Sequence, residues 1–421
     1  MLTGQILLQL IVILLVVQGC GSLCKRVGQQ WVIGEILAGL MLGPSLLGLF
    51  WPGLQLQLFS SGSLPTLQTL GDLGLILYMF SLGARLDIHL ITRQSRTAFF
   101  VSMSSILLPF ILGSLLAFLL YPILAGPKAN LLSFVLLVGT AMAITAFPVL
   151  ARLLSEKEML GTRIGMLALT SASIGDVIAW CLLALIVSTT HGNNMASVAV
   201  TIGVTVLFTV TMLFGVRPLL SYAVRRIQSQ YFLIVCSIVL LLTSSYITNV
   251  IGIHPVFGAF LAGIILPRNV TFTQQIRSID QMNNILFLPL FFVFSGLRTQ
   301  INLINGGSAW LICLLILFLA CSGKILGGAL AMRLCRESWR DALSLGVLMN
   351  TRGLVELIVL NIGLDLGILS PTLFAMLVIM AVVTTMMASP LLPLLGYRSR
   401  SRSPEATEPT VEPAVSSSDT A

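Results

Sequence analysis

Thirteen long apolar runs, joined by short loops, set the limits on what this chain can fold into. They lie near 4–21, 30–49, 68–85, 97–121, 131–153, 162–189, 195–217, 230–251, 255–267, 283–298, 308–333, 341–363 and 368–396. About 20 apolar residues at ~1.5 Å rise cross a hydrocarbon core. Inside that core each backbone polar group must be satisfied within its own segment, which favours helices. The composition agrees: of 421 residues, 57% are hydrophobic and 9% charged, where a soluble domain carries about 25% charged residues. The expected class is an all-α polytopic membrane protein.

The loops carry the orientation. Basic residues cluster after every odd-numbered run, as in Lys25-Arg26, Arg152/Lys157/Arg163, Arg217/Arg225/Arg226 and Arg333/Arg336/Arg340, while the intervening loops hold almost none. All but four of the 23 Lys and Arg residues fall on one side, the exceptions being Lys128, Arg298, Lys324 and Arg352. The excess of basic residues marks the cytoplasmic side. The N-terminus is therefore expected outside and the C-terminus in the cytoplasm, in a bacterial inner membrane. This distribution accounts for the net charge of +8 without nucleic acid as a partner. The first run starts almost at Met1 with no basic stretch before it, which reads as a transmembrane helix and not a cleaved signal. Residues 1–396 form the expected membrane domain. From about Tyr397 the chain turns to Arg, Ser, Pro, Glu and Thr, a composition that cannot bury a core and predicts a disordered cytoplasmic tail.

Two runs look broken. The fifth contains Thr145-Ala-Phe-Pro148, and a proline inside a helix removes a hydrogen bond and crowds the preceding turn. The twelfth contains Asn350-Thr-Arg-Gly353, weak helix-formers at mid-depth. Interrupted helices in corresponding positions of two halves point to a transporter built from inverted repeats, with its binding site at the midplane.

Charges inside the apolar runs carry the chemistry. Asp176, in Thr170-Ser-Ala-Ser-Ile-Gly-Asp176, falls near the middle of the sixth run, with Thr170, Ser171 and Ser173 in the two turns before it. An ionisable residue at that depth is costly and is read as a functional site, against the alternative of an interhelical hydrogen bond. Lys324 lies in the eleventh run, about nine residues from its basic end, too deep to snorkel with ease. A buried ammonium calls for a carboxylate partner. Arg352 and Glu356, spaced i,i+4, share a face of the twelfth run. They are either a self-contained ion pair or compensation for the half-helix ends, with contact to Asp176 or Lys324. Glu35 sits one turn into the second run, near the cytoplasm, in a structural or an entrance role. Asp72, Asp87 and Asp365 mark span ends and are expected in solvent. The seven cysteines show no metal-ligand spacing and read as small apolar residues. The three histidines lie in loops, which leaves no general base at membrane depth for an intramembrane serine protease.

Several motifs together resemble the monovalent cation:proton antiporter-2 family, the bacterial sodium/hydrogen exchanger group that includes Kef-type potassium systems. They are Gly34-Glu-Ile-Leu-Ala-Gly-Leu-Met-Leu-Gly-Pro44, Leu73-Gly74 through Phe80-Ser-Leu-Gly83, Thr145-Ala-Phe-Pro148, Asp176-Val-Ile-Ala-Trp180, Phe294-Ser-Gly-Leu-Arg298, Lys324, and Met349-Asn-Thr-Arg-Gly-Leu354 with Glu356. The resemblance covers about residues 1–396. It implies a dimer-forming scaffold and a core with two crossed, broken helices, and it makes Asp176 the cation and proton carboxylate with Lys324 beside it. The chain departs from the family in having Gly175-Asp176 where many members place two adjacent polar or acidic residues. No soluble nucleotide-binding region follows, so gating of the Kef kind is not expected.

The expected mechanism is competition for one carboxylate. Asp176 holds either a proton or a hard monovalent cation, Na+ or K+, with Thr145, Ser173 and unwound backbone oxygens completing the shell. Alternating exposure then exchanges the two, without a further cofactor and without enzymatic chemistry. Two other readings remain open at this point. One is a sodium-coupled organic anion symporter in which Arg352 binds the substrate carboxylate; the other is an uncoupled cation channel or sensor.

Overall fold

The structure is a computed structural model that describes residues 2–60, 62–85, 95–190, 195–226, 229–252, 254–267 and 279–396. His89, His191, Asp87 and the tail from Tyr397 lie outside the described residues. Among the described residues the secondary structure is helical, apart from one isolated bridge between Ala125 and Leu369. In chain order the helices are α1 (Leu2–Arg26), α2 (Trp31–Leu42), α3 (Leu47–Phe50), α4 (Pro52–Leu58), α5 (Leu64–Arg85), α6 (Ser95–Leu124), α7 (Leu131–Ala143), α8 (Phe147–Glu156) and α9 (Arg163–Thr190). They continue with α10 (Met195–Val210), α11 (Arg217–Arg226), α12 (Gln230–Ile251), α13 (Pro255–Ile265), α14 (Phe287–Leu297), α15 (Gly306–Leu334), α16 (Trp339–Met349), α17 (Leu354–Asp365) and α18 (Pro371–Leu394).

Among the described residues, ten helices are long and apolar enough to cross a membrane. Helix length alone therefore supports ten crossings and not thirteen. The other three expected spans are the fifth and twelfth, each divided into two half-helices, and the ninth, which is the eleven-residue α13.

The helices sort into two bodies. In one, α6 packs against α7 and α15, α15 against α16 and α18, and α9 against α6 and α7. In the other, α14 packs against α2 and α5, α13 against α5 and α12, and α1 against α2. Small residues allow the close approaches that replace hydrophobic driving force in lipid. A Cβ on Gly296 of α14 would stand 2.7 Å from Gly39 Cα of α2. The two bodies touch less densely, where the short turn Ile301–Leu303 and α2 meet α18 and where α14 meets α17.

Both breaks fall inside the first body. The chain leaves helical geometry at Ile144, whose φ and ψ are −70° and 138°. Pro148 is not at the interruption. It occupies the opening turn of α8, where its missing N–H would have had no intrahelical partner. In the twelfth span Asn350 ends α16, and Gly353, at φ +149°, precedes α17. A side chain at Gly353 would be strained, and its Cβ would meet Val149 Cγ2 at 2.8 Å.

Candidate functional site: a crossover of two broken helices

The two interruptions lie against each other. The Ala146 N–H donates to Thr351 O at 3.0 Å, and the Thr145 hydroxyl donates to Met349 O at 2.9 Å. Thr385 of α18 holds the second break in place, since its hydroxyl oxygen accepts from the Arg352 amide at 2.9 Å.

A broken helix exposes two ends, one with unpaired carbonyls and one with unpaired N–H groups, carrying partial negative and positive charge. Four such ends meet here and each has a counterpart. Arg352 Nη1 and Nη2 donate to Ala141 O and Met142 O, both at 2.7 Å, at the carbonyl end of α7. Asp176 of α9 reaches the N–H end of α8 and accepts from the Phe147 amide. Lys324 of α15 donates from Nζ to Thr145 Oγ1 at 2.6 Å, and Thr145 passes its own proton to the carbonyl end of α16. Glu356 lies in the first turn of α17.

All four charged groups are shut away from the surface. Asp176 is 3% exposed, and Lys324, Arg352 and Glu356 are 0% exposed. Arg352 and Glu356 form an i,i+4 pair at 3.5 Å. The pair lies within one span and Arg352 also compensates a helix end, while Arg352 and Glu356 act on Lys324 through the longer-range field and not by the expected contact. Among the described residues Lys324 makes no ion pair within 4.0 Å, so the expected carboxylate contact is absent; its hydrogen bond is to a neutral hydroxyl, and Glu356 and Asp176 act on it through the longer-range field. The Ser173 hydroxyl, one turn from Asp176, donates to Leu169 O at 2.8 Å, which leaves its oxygen lone pairs open. Asp176 Oδ1, by contrast, is buried and has no hydrogen-bond partner.

The two faces of the molecule differ. On the side opposite the basic loops, Arg298 at the end of α14 pairs with Asp365 of α17 at 2.5 Å and donates to Asn361 Oδ1 at 3.2 Å. Asp365 is thus engaged and not simply solvated. On the basic-loop side, a cavity of about 970 Å3 opens between the two bodies, lined by Glu35, Tyr78, Phe147, Arg152, Ser155 and Phe292 among others. Sequence reading did not find this cavity, the Phe147 amide or Thr385. A clue to the last existed in the paired Thr384-Thr385 of an otherwise apolar run.

A carboxylate with an open oxygen, set at a neutralised crossing of half-helices inside a membrane bundle, defines a secondary transporter for a small cation. Comparison places it more closely: the chain belongs to the sodium/hydrogen exchanger transmembrane family, whose description matches residues 11–395. The Na(+)/H(+) antiporter NhaS4 of Synechocystis is 40% identical over 392 residues, covering 92% of this chain and 96% of that protein. Cation/H(+) antiporter 17 of Arabidopsis thaliana is 38% identical over 92% of this chain and 48% of its own length. K(+)/H(+) antiporter 1 of Saccharomyces cerevisiae is 33% identical over 87% of this chain and 43% of its own. The chain thus spans about half the length of these plant and yeast relatives. The solved sodium proton antiporter MjNhaP1 of Methanocaldococcus jannaschii superposes with a TM-score of 0.69 over 95% of this chain and 99% of that one. At 15% identity that likeness is one of fold.

Proposed function

We propose that this protein exchanges protons for a monovalent cation, Na+ or K+, by alternating access at Asp176. The carrying observation is the Asp176 carboxylate itself: 97% buried, anchored by one backbone amide, with Oδ1 open. A buried carboxylate oxygen without a direct partner is costly, so it takes either a proton or a cation. Each satisfies the same oxygens and excludes the other. Thr145 and Ser173 offer neutral oxygens beside it. The family, and relatives named as Na(+)/H(+), cation/H(+) and K(+)/H(+) antiporters, support the same reading.

Movement follows from the two bodies. The crossover lies wholly in one, and the contact between them is sparse. Sliding one body past the other would close the cavity beside Phe147 and break the Arg298–Asp365 pair on the far side. The gradient of one ion drives the other, so no ATP is used. Anion symport is disfavoured, since the Arg352 guanidinium already donates to two carbonyls and pairs with Glu356. The α1–α2–α14 body would act as the scaffold of a homodimer in the cell membrane, with the basic loops and the chain beyond Tyr397 on the cytoplasmic side. A monomeric mass in lipid nanodiscs would contradict the dimer.

The experiment is exchange in proteoliposomes, read as collapse of an imposed proton gradient on adding Na+ or K+. Wild type dissipates the gradient. Asp176→Asn, at matched abundance and melting temperature, does not. Exchange at the wild-type rate in that variant would remove Asp176 from the mechanism.

A further inference from the structure

The exchange reading needs one carboxylate, yet a second stands in the cavity that leads towards it. Glu35 of α2 is 2% exposed and lines the space of about 970 Å3 between the two bodies. Among the described lining residues it is the one acid. The Trp31 side chain donates to its carboxylate, while Oε2 is buried with no hydrogen-bond partner. A group held only for packing would be paired at both oxygens, because an unsatisfied buried acceptor costs free energy.

The neighbours limit what Glu35 can do. Arg152 of α8 lines the same cavity from the other body and its positive charge acts on Glu35. Arg85, also in the lining, is engaged by Asp280. Tyr78 is neutral. Phe147, whose amide binds Asp176, forms another part of the wall. The cavity therefore joins a partly satisfied carboxylate to the residue whose amide anchors the central one.

We propose that Glu35 is a second, transient cation site on the cytoplasmic access path. A monovalent cation entering from that side sheds part of its hydration against Glu35 Oε2, in competition with Arg152, before reaching Asp176. A path of this kind needs binding that is favourable enough to gather ions and weak enough to release them, and Arg152 provides the weakening. The inference rests on the exchange reading and adds a sidedness that the central site alone does not give.

The test uses the full chain in proteoliposomes, with Na+ or K+ supplied on either face separately. Glu35→Gln raises the apparent KM for cation on the cytoplasmic face about tenfold, the worth of one moderate ionic contact. It leaves the KM from the other face unchanged, and Glu35→Asp restores the cytoplasmic value. Arg152→Gln moves the cytoplasmic KM the opposite way, downward. A general structural defect would move both faces together, and that result, or an unchanged cytoplasmic KM in Glu35→Gln, overturns the proposal. Should Glu35→Gln fail to accumulate, an unchanged KM in Arg152→Gln overturns it. Active wild type with indifferent variants refutes this site alone. Wild type without exchange refutes the exchange reading as well.

Discussion

Where α7 gives way to α8, the backbone between Ala143 and Phe147 carries a hydroxyl and no charge of its own. Where α16 gives way to α17, it carries Arg352, with Glu356 in the next turn. The geometry is matched and the furnishing is not. At the second break both charges come from one span, 3.5 Å apart, and the guanidinium also ties off the carbonyl end of the first break. At the first break the charges come from elsewhere, Asp176 from α9 and Lys324 from α15, and the two are not in contact. One crossing half therefore holds its two charges as an ion pair, although both Glu356 oxygens lack a hydrogen-bond partner, and the other holds Asp176 with Oδ1 open and no ion pair within 4.0 Å among the described residues. With Asp176 ionised the four charges sum to zero. A bound proton and a bound monovalent cation then leave the same net charge. The second break is the frame and the first is the exchange site.

Three substitutions test that division, in decreasing order of effect. Arg352→Met removes two carbonyl contacts and leaves Glu356 buried and unpaired. Breaking a buried pair from one side costs about 3–5 kcal/mol, so the protein loses most of its membrane abundance and melts well below wild type. Removing Glu356 too, as Arg352→Met/Glu356→Leu, recovers part of the loss. A single variant as stable as wild type would mean that the second break needs no frame.

Lys324→Ala acts on the first break. Loss of the ammonium leaves Thr145 without its donor, and a cost of ~1 kcal/mol lowers the melting temperature by about 2–4 °C. The activity–pH profile moves to higher pH, because a positive charge that competes with the proton for Asp176 has gone. Lys324→Gln restores the hydrogen bond and the melting temperature but not the profile. Unchanged melting and profile in Lys324→Ala would disconnect Lys324 from the site.

Gly175 gives the smallest effect. With a single acid at the site, exchange is one proton for one cation and electroneutral, so an imposed membrane potential leaves the initial rate in proteoliposomes unchanged. A rate that follows the potential would exclude this scheme. The position has room, since a Cβ there would meet Ile106 Cδ1 at 3.6 Å and Ser102 Oγ at 3.9 Å. Gly175→Asp is therefore expected to fold and to make exchange respond to potential.

The charges of the site were legible in the sequence because an ionisable side chain in an apolar run is too costly to be incidental. Asp176, Lys324, Arg352 and Glu356 each stood out on that ground, and the structure gathers all four. Their partners were not legible. Lys324 pairs with a threonine from a span nearly 180 positions away, and Arg352 with backbone carbonyls that have no sequence signature. Pro148 misled for a related reason. A proline interrupts a helix interior but suits a helix start, and which of these applies depends on where the crossing partner stops the preceding helix. The spans were read correctly as apolar. Their division into half-helices is a tertiary effect, set by Thr351 and Met349 from the other break.

Competition at one carboxylate is the central claim, and proton release measures it most directly. Purified protein in weakly buffered detergent solution would be titrated with Na+ or K+ while pH is recorded with an indicator dye. The account predicts release of one proton per bound cation in wild type, the same release in Glu356→Gln, and none in Asp176→Asn. Release that persists in Asp176→Asn, or that disappears in Glu356→Gln while Asp176 is intact, would place the exchange on the frame and contradict the division of the two breaks.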